Sequence, residues 1–175
     1  MKIGWILWLA SILGGNAQEQ TCLATTVFLE ARDQPVIGQY AVAEVALRRR
    51  ESGRWGNNVC DVVNSHRQFA PTILSSDYRV KSLAAWERAW KVAGNSLQMW
   101  RLPPENRKLY VPGADHFYAH NIVQPSWAEY GEPVAIIGDH SFYRIDGVRR
   151  DPAIKAATEV EPEQVPNHRT LRGAG

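Results

Sequence analysis

Apolar positions along this chain recur at helical spacing over its first two thirds and then shift to short, aromatic, β-branched clusters. Leu23, Ala24, Val27, Phe28 and Ala31 share one face of a predicted helix. Asp33-Gln34-Pro35 interrupts it, because proline disfavours helix in the residue before it. A second helix is predicted over residues 36–51, with Ile37, Tyr40, Ala41, Val45 and Arg48 along one face and Gly53 as its stop. Asn57 or Asn58 can cap a short helix carrying Val59, Val62 and Val63. Residues 64–77 hold no period and read as a loop. A third helix is predicted over residues 78–95, built on Leu83, Trp86, Ala89, Trp90 and Ala93, with Gly94-Asn95 as its stop. Pro103-Pro104 and Pro112-Gly113 bracket a loop. Residues 115–122 and 135–145 then predict a small antiparallel β region. The fold class is therefore α+β, a helical domain with a small β subdomain. Residues 147–175 are charged and proline-containing with little to bury, and are expected to form a flexible tail.

The N-terminus follows another pattern. Lys2 precedes an apolar stretch over residues 3–13, and Gly15-Asn16-Ala17 puts small residues at the −3 and −1 positions of a cleavage site. A membrane span needs about 20 apolar residues, so this stretch is too short for an ordinary one. Residues 1–17 are expected to be a signal peptide cleaved after Ala17, or a releasable signal anchor with only transient membrane contact. Residues 18–146 then form one folded domain that is exported to the periplasm or cell envelope. Cys22 and Cys60 fit that compartment as a disulfide, with two buried thiols as the alternative. The bridge would stabilise the fold by roughly 3–4 kcal/mol.

Composition narrows the function less. With 45% apolar and 22% charged residues the chain is ordinary and globular. Its net charge of +2 lacks the clustered basic face of a nucleic-acid binder, so no nucleic-acid partner is expected. Arg48-Arg49-Arg50 falls at a predicted helix C-terminus, where cations answer the helix dipole.

Two groups of residues carry candidate chemistry. Glu30 follows the apolar triplet Val27-Phe28-Leu29 near the end of its helix. It either faces water or sits at the rim of the core, where desolvation favours the protonated form that a general acid needs. No second carboxylate announces itself among Asp61, Asp77, Asp115 and Asp139. His116, Tyr118 and His120 share one face if their segment is a strand. In a helix, His116 and His120 would share a face as zinc ligands do, with His140 as a third. No Glu follows His116, so the zincin motif is absent. Trp127 and Tyr143 could stack on a ring-shaped ligand or join the β part to the helices.

Ordered blocks of the sequence resemble one known family. Cys22-Leu-Ala…Phe28-Leu-Glu30-Ala-Arg32, Gly38-Gln-Tyr40-Ala-Val-Ala43, Val59-Cys60-Asp-Val-Val63, Gln68-Phe69, His116-Phe-Tyr118-Ala-His120, Pro125-Ser-Trp127 and Ile137-Gly-Asp-His140-Ser-Phe-Tyr143 resemble the SleB-type cell wall hydrolases, over about residues 21 to 145. The departures are Asp33, where glycine is common in that family, and Ala70, where serine is usual. The resemblance implies a lysozyme-like catalytic domain, with Glu30 as the acid/base and peptidoglycan glycan strands as the partner. It places Gln68 and Phe69 beside the cleft, with His116, Tyr118, His120, Trp127 and Tyr143 as further substrate contacts. It implies cleavage between N-acetylmuramic acid and N-acetylglucosamine, with an anhydro-muramic product. No cofactor or metal is expected, and a monomer is. The rival readings are a zinc amidase or peptidase on His116, His120 and His140, and a glycan-binding module without activity.

Overall fold

In a computed structural model, residues 2–65, 69 and 78–145 are described. Among the described residues five α-helices, α1 (Ile3–Leu13), α2 (Gly15–Ala31), α3 (Val36–Ser52), α4 (Val59–Asn64) and α5 (Leu83–Trp100), precede a small sheet. The sheet holds β1 (His116–Ala119), β2 (Ala135–Ile137) and β3 (His140–Tyr143) in the antiparallel order β1-β3-β2. The second unit, residues 146–175, lies outside the described residues, and with it the expected tail.

α2 is the central element, in contact with α1, α3, α4 and α5. That position explains its composition. Leu23, Ala24, Val27 and Phe28 are buried, and so are Thr21, Thr25 and Thr26, whose hydroxyls donate back to the helix's own carbonyls four residues earlier. Cys22 of α2 is disulfide-bonded to Cys60 of α4 across a Cα separation of 5.3 Å. The apolar stretch near the N-terminus is α1, whose Ile3, Ile6 and Ala10 are buried. Ala17 lies inside α2, two residues after its start.

Several expected boundaries move, each for a local reason. α5 starts at the Ser82 cap, whose hydroxyl accepts from Ala85 N at 3.2 Å, so residues 78–81 are not helical. Leu83 therefore sits in the exposed first turn and is not core. Gly94-Asn95 does not stop α5, which runs on to Trp100. Gly94 serves a close approach instead: a Cβ there would lie 2.8 Å from Gln20 Nε2, which donates to Trp90 O. Ile37 is exposed on the first turn of α3, whereas Ala41, Val42 and Val45 are buried against Val111, Ala114 and Phe142. α4 begins at Asn58, whose side chain accepts from Asp61 N.

The arginine run falls at the C-terminal end of α3 as expected, and its side chains also tie α3 to its neighbours. Arg48 donates to Ala114 O, and Arg49 donates to Asp115 O at 2.7 Å while buried. Arg50 pairs with Glu19 of α2 at 2.7 Å. Two of the three cations thus dock the chain leading into β1 onto α3, and the third ties α3 to α2.

Candidate active site

Glu30 occupies the last turn of α2 and is half-buried. At 100° per residue it continues the stripe of Glu19, Leu23 and Thr26. That stripe faces α4, because Glu19 accepts from Val59 N at 3.0 Å, at the first residue of α4. Beyond α4 the chain reaches Phe69, a fully buried ring 6.2 Å from Phe117 of β1 and 5.1 Å from the Arg49 guanidinium. Phe117 packs on both apolar clusters, one containing Phe28 and Phe69, the other Ala31 and Phe142. The end of α2, Phe69 and β1 therefore meet at one junction. Exposed carbonyls at a helix C-terminus disfavour additional negative charge there.

The turn after Glu30 is fixed to the sheet. Gln34 Nε2 donates to Asp139 Oδ2 at 2.9 Å, and Gln34 Oε1 accepts from Asp139 N at 2.9 Å. Asp139 O in turn accepts from His120 N at 3.0 Å. Gly138 makes the fit possible, since it has φ +59° and any Cβ would collide with the Gln34 side chain. On the opposite side, Arg32 donates to the Tyr78 hydroxyl at 2.9 Å and lies 5.5 Å from the Phe28 ring centre.

Strand alternation divides the remaining candidates. Phe117, His140 and Phe142 face the helices, with His140 5.3 Å from Phe117 between ring centres. Burial lowers the pKa of His140, opposed by the nearby Asp139 and Asp33. His116, Tyr118 and His120 take the other face. There Tyr118 stacks on Tyr143 at 5.7 Å, and Trp127 stands edge-on to both at 5.6 Å. His116 lies 5.2 Å from Trp127 and is hydrogen-bonded to Asp115 at 2.8 Å. His120 Nδ1 is 3.2 Å from Ser141 Oγ. The Tyr143 hydroxyl is 3.5 Å from that of Tyr118, and this bond together with burial pushes its pKa up to about 12. Tyr118, Trp127, Tyr143 and His116 thus form one aromatic wall, whereas Phe69 is buried in the core with Phe28 and is not part of that wall. Gln68 lies outside the described residues.

A family profile described as Cell Wall Hydrolase matches residues 33–143, nearly two thirds of the chain. The chain belongs to the cell wall hydrolase family. Two solved structures share its fold. One is the catalytic domain of the Bacillus cereus SleB protein, at 24% identity and a TM-score of 0.59, covering 74% of this chain and 91% of that one. The other is the catalytic domain of the germination-specific lytic transglycosylase SleB from Bacillus anthracis, at the same identity and TM-score, covering 74% and 96%. No curated protein matches the chain. The profile begins three residues after Glu30 and does not include it.

This cell wall hydrolase commits its other candidate carboxylates to structure. Asp61 accepts from Asn58 Nδ2 at 2.7 Å at the start of α4. Asp115 accepts from Ile145 N at 2.7 Å and holds His116. Asp139 completes the Gln34 latch. Asp77 lies outside the described residues. The histidines of the zinc reading do not converge, since His140 projects from the opposite face to His116 and His120. Among the described residues no group of three or more His, Cys, Asp or Glu side chains is placed to hold a metal ion. Sequence reasoning missed Gln34, whose partner Asp139 lies 105 residues away in the chain.

Proposed function

We propose that this cell wall hydrolase is a lytic transglycosylase that cleaves the bond between N-acetylmuramic acid and N-acetylglucosamine with Glu30 as its only acid/base. The supporting observation is Glu30's position: half-buried at the C-terminal turn of α2, while Asp61, Asp115 and Asp139 are engaged elsewhere. Glu30 gives its proton to the glycosidic oxygen as the bond to the muramic anomeric carbon breaks. The resulting carboxylate then takes the proton of the muramic 6-hydroxyl, whose oxygen closes on the anomeric carbon. Glu30 ends protonated, and no water is consumed. A two-carboxylate hydrolase would need a second group to activate water or to form a covalent intermediate. The solved relative named as a lytic transglycosylase supports the same chemistry. Borohydride treatment of the soluble products tests it: anhydro ends resist reduction, whereas muramic ends released by hydrolysis are reduced.

We further propose that the chain reaches the wall by export with residues 1–17 retained, as a releasable anchor rather than a cleaved leader. Ile3, Ile6 and Ala10 are buried in the folded domain, and cleavage after Ala17 would fall within α2. N-terminal sequencing of the exported protein decides between Met1 and Gln18.

A further inference from the structure

A second concave site lies on the other flank of α3. α3 turns Ala41, Val42 and Val45 toward the sheet, whereas Tyr40 and Glu44 face a pocket of about 740 Å³ closed by α5 and residues 108–110. This volume is in the range of small-molecule sites. None of Glu30, Phe69, Tyr118 or His120 lines it.

Its walls are aromatic and preorganised. Tyr40 and Tyr110 stand 5.7 Å apart between ring centres at an interplanar angle of 34°. Glu44 accepts from the backbone amides of Tyr110 and Val111 at 2.8 and 3.0 Å, which holds Tyr110 in place while its ring remains half exposed at the mouth. Trp100 and Met99 add apolar surface. The polar groups are few. Asn95 Nδ2 donates to the Tyr40 hydroxyl at 2.9 Å, leaving the Asn95 carbonyl oxygen for a ligand. Ser96 is 4% exposed and lines the pocket, and its hydroxyl has no hydrogen-bond partner among the described residues. Buried hydroxyls are rarely left so, because an unpaired one is costly.

We propose that this pocket is a second glycan-binding site that takes an N-acetylated hexosamine. The proposal rests on the peptidoglycan reading above. The apolar face of the pyranose ring lies against Tyr110, the acetamido methyl meets Met99 and Trp100, and the acetamido group satisfies the Ser96 hydroxyl. A second sugar site on a domain that acts on a long polymer raises its retention by avidity, without a new contact at the cleft.

The test uses the full chain and tetra-N-acetylchitotetraose, with the Trp100 indole N–H resonance, assigned by Trp100→Phe, as the local reporter. The expected result is a saturable shift of that resonance. Tyr110→Ala should weaken the affinity it reports by roughly three- to tenfold, the range for losing one aromatic contact, while Tyr110→Phe retains it. Ser96→Ala should weaken the affinity while the melting temperature stays level or rises, since it removes a hydroxyl the fold does not use. A Trp100 resonance that does not move, or an affinity unchanged by both Tyr110→Ala and Ser96→Ala, overturns the proposal. Glu30→Gln separates the two readings. Should it leave wall cleavage intact, the catalytic proposal fails while the binding result at Trp100 stands.

Discussion

Gln34 and Asp139, 105 residues apart in the chain, hold each other by two hydrogen bonds of 2.9 Å. One side-chain amide thereby reads both the carboxylate and the backbone N–H of the β2–β3 turn. Because Gln34 lies four residues after Glu30, this pair sets the end of α2 against the sheet. Gln34→Ala is expected to cost about 1 kcal/mol of stability in urea unfolding, as partly exposed hydrogen bonds do. It should lower kcat on purified peptidoglycan by more than that stability loss explains. Unchanged kcat would show that the latch does not position Glu30.

The Cys22–Cys60 bridge ties the Glu30 helix to α4. Reducing it, or replacing both cysteines with serine, is expected to lower unfolding free energy by roughly 3–4 kcal/mol. Denaturation with and without reductant measures this. Coincident curves would mean that the loop it closes is already restrained.

His140 gives the fold an acid limit. Burial depresses its folded-state pKa below the ordinary histidine value of 6.5, with Asp139 and Asp33 working the other way and His120 with burial. The unfolded chain then takes up a proton first as pH falls. Stability from neutral His140 is fully present above about pH 6.5 and is lost as pH drops toward the folded-state pKa. Urea midpoints measured down through this window should fall more steeply for wild type than for His140→Gln. Parallel profiles would contradict it.

Ile6 distinguishes a retained from a removed N-terminus. It is buried in the core with Ile3. Ile6→Ala should therefore destabilise the exported protein by about 2–5 kcal/mol, the usual range for a buried isoleucine cut to alanine. If residues 1–17 are removed on export, the mature protein will melt identically with or without the substitution.

Helical spacing carried the existence of α2, α3, α4 and α5, and the short β-branched clusters carried the sheet. Periodicity could not show which face of a helix meets which neighbour. α2 is enclosed on nearly every side, so its threonines read as polar although they are buried and bonded to their own helix. Gly94 read as a stop because its sequence signal is the same whether a helix ends or a neighbour comes close; the Gln20 contact decides it. Arg48 and Arg49 read only as cations at a helix C-terminus because the carbonyls they meet lie 66 residues away. At the site, the apolar flank left Glu30 open between water and the rim of the core, and only the family resemblance singled it out, whereas the shared face of His116, Tyr118 and His120 was legible from alternation. That Tyr143 and Trp127 join Tyr118 on the side of the sheet away from Phe117 was not, because Tyr143 is placed by the β1–β3 register and Trp127 by its ring contacts to both tyrosines.

The central claim is that Glu30 alone moves the protons of the reaction. The most direct measurement compares wild type with Glu30→Gln on purified peptidoglycan and reads the soluble products by mass spectrometry. The account predicts wild-type muropeptides lighter by one water than hydrolysed ones, and no soluble product from the variant, whose fold remains intact by circular dichroism. Wild-type products with ordinary reducing muramic ends, or release by the Glu30→Gln protein at the wild-type rate, would contradict it.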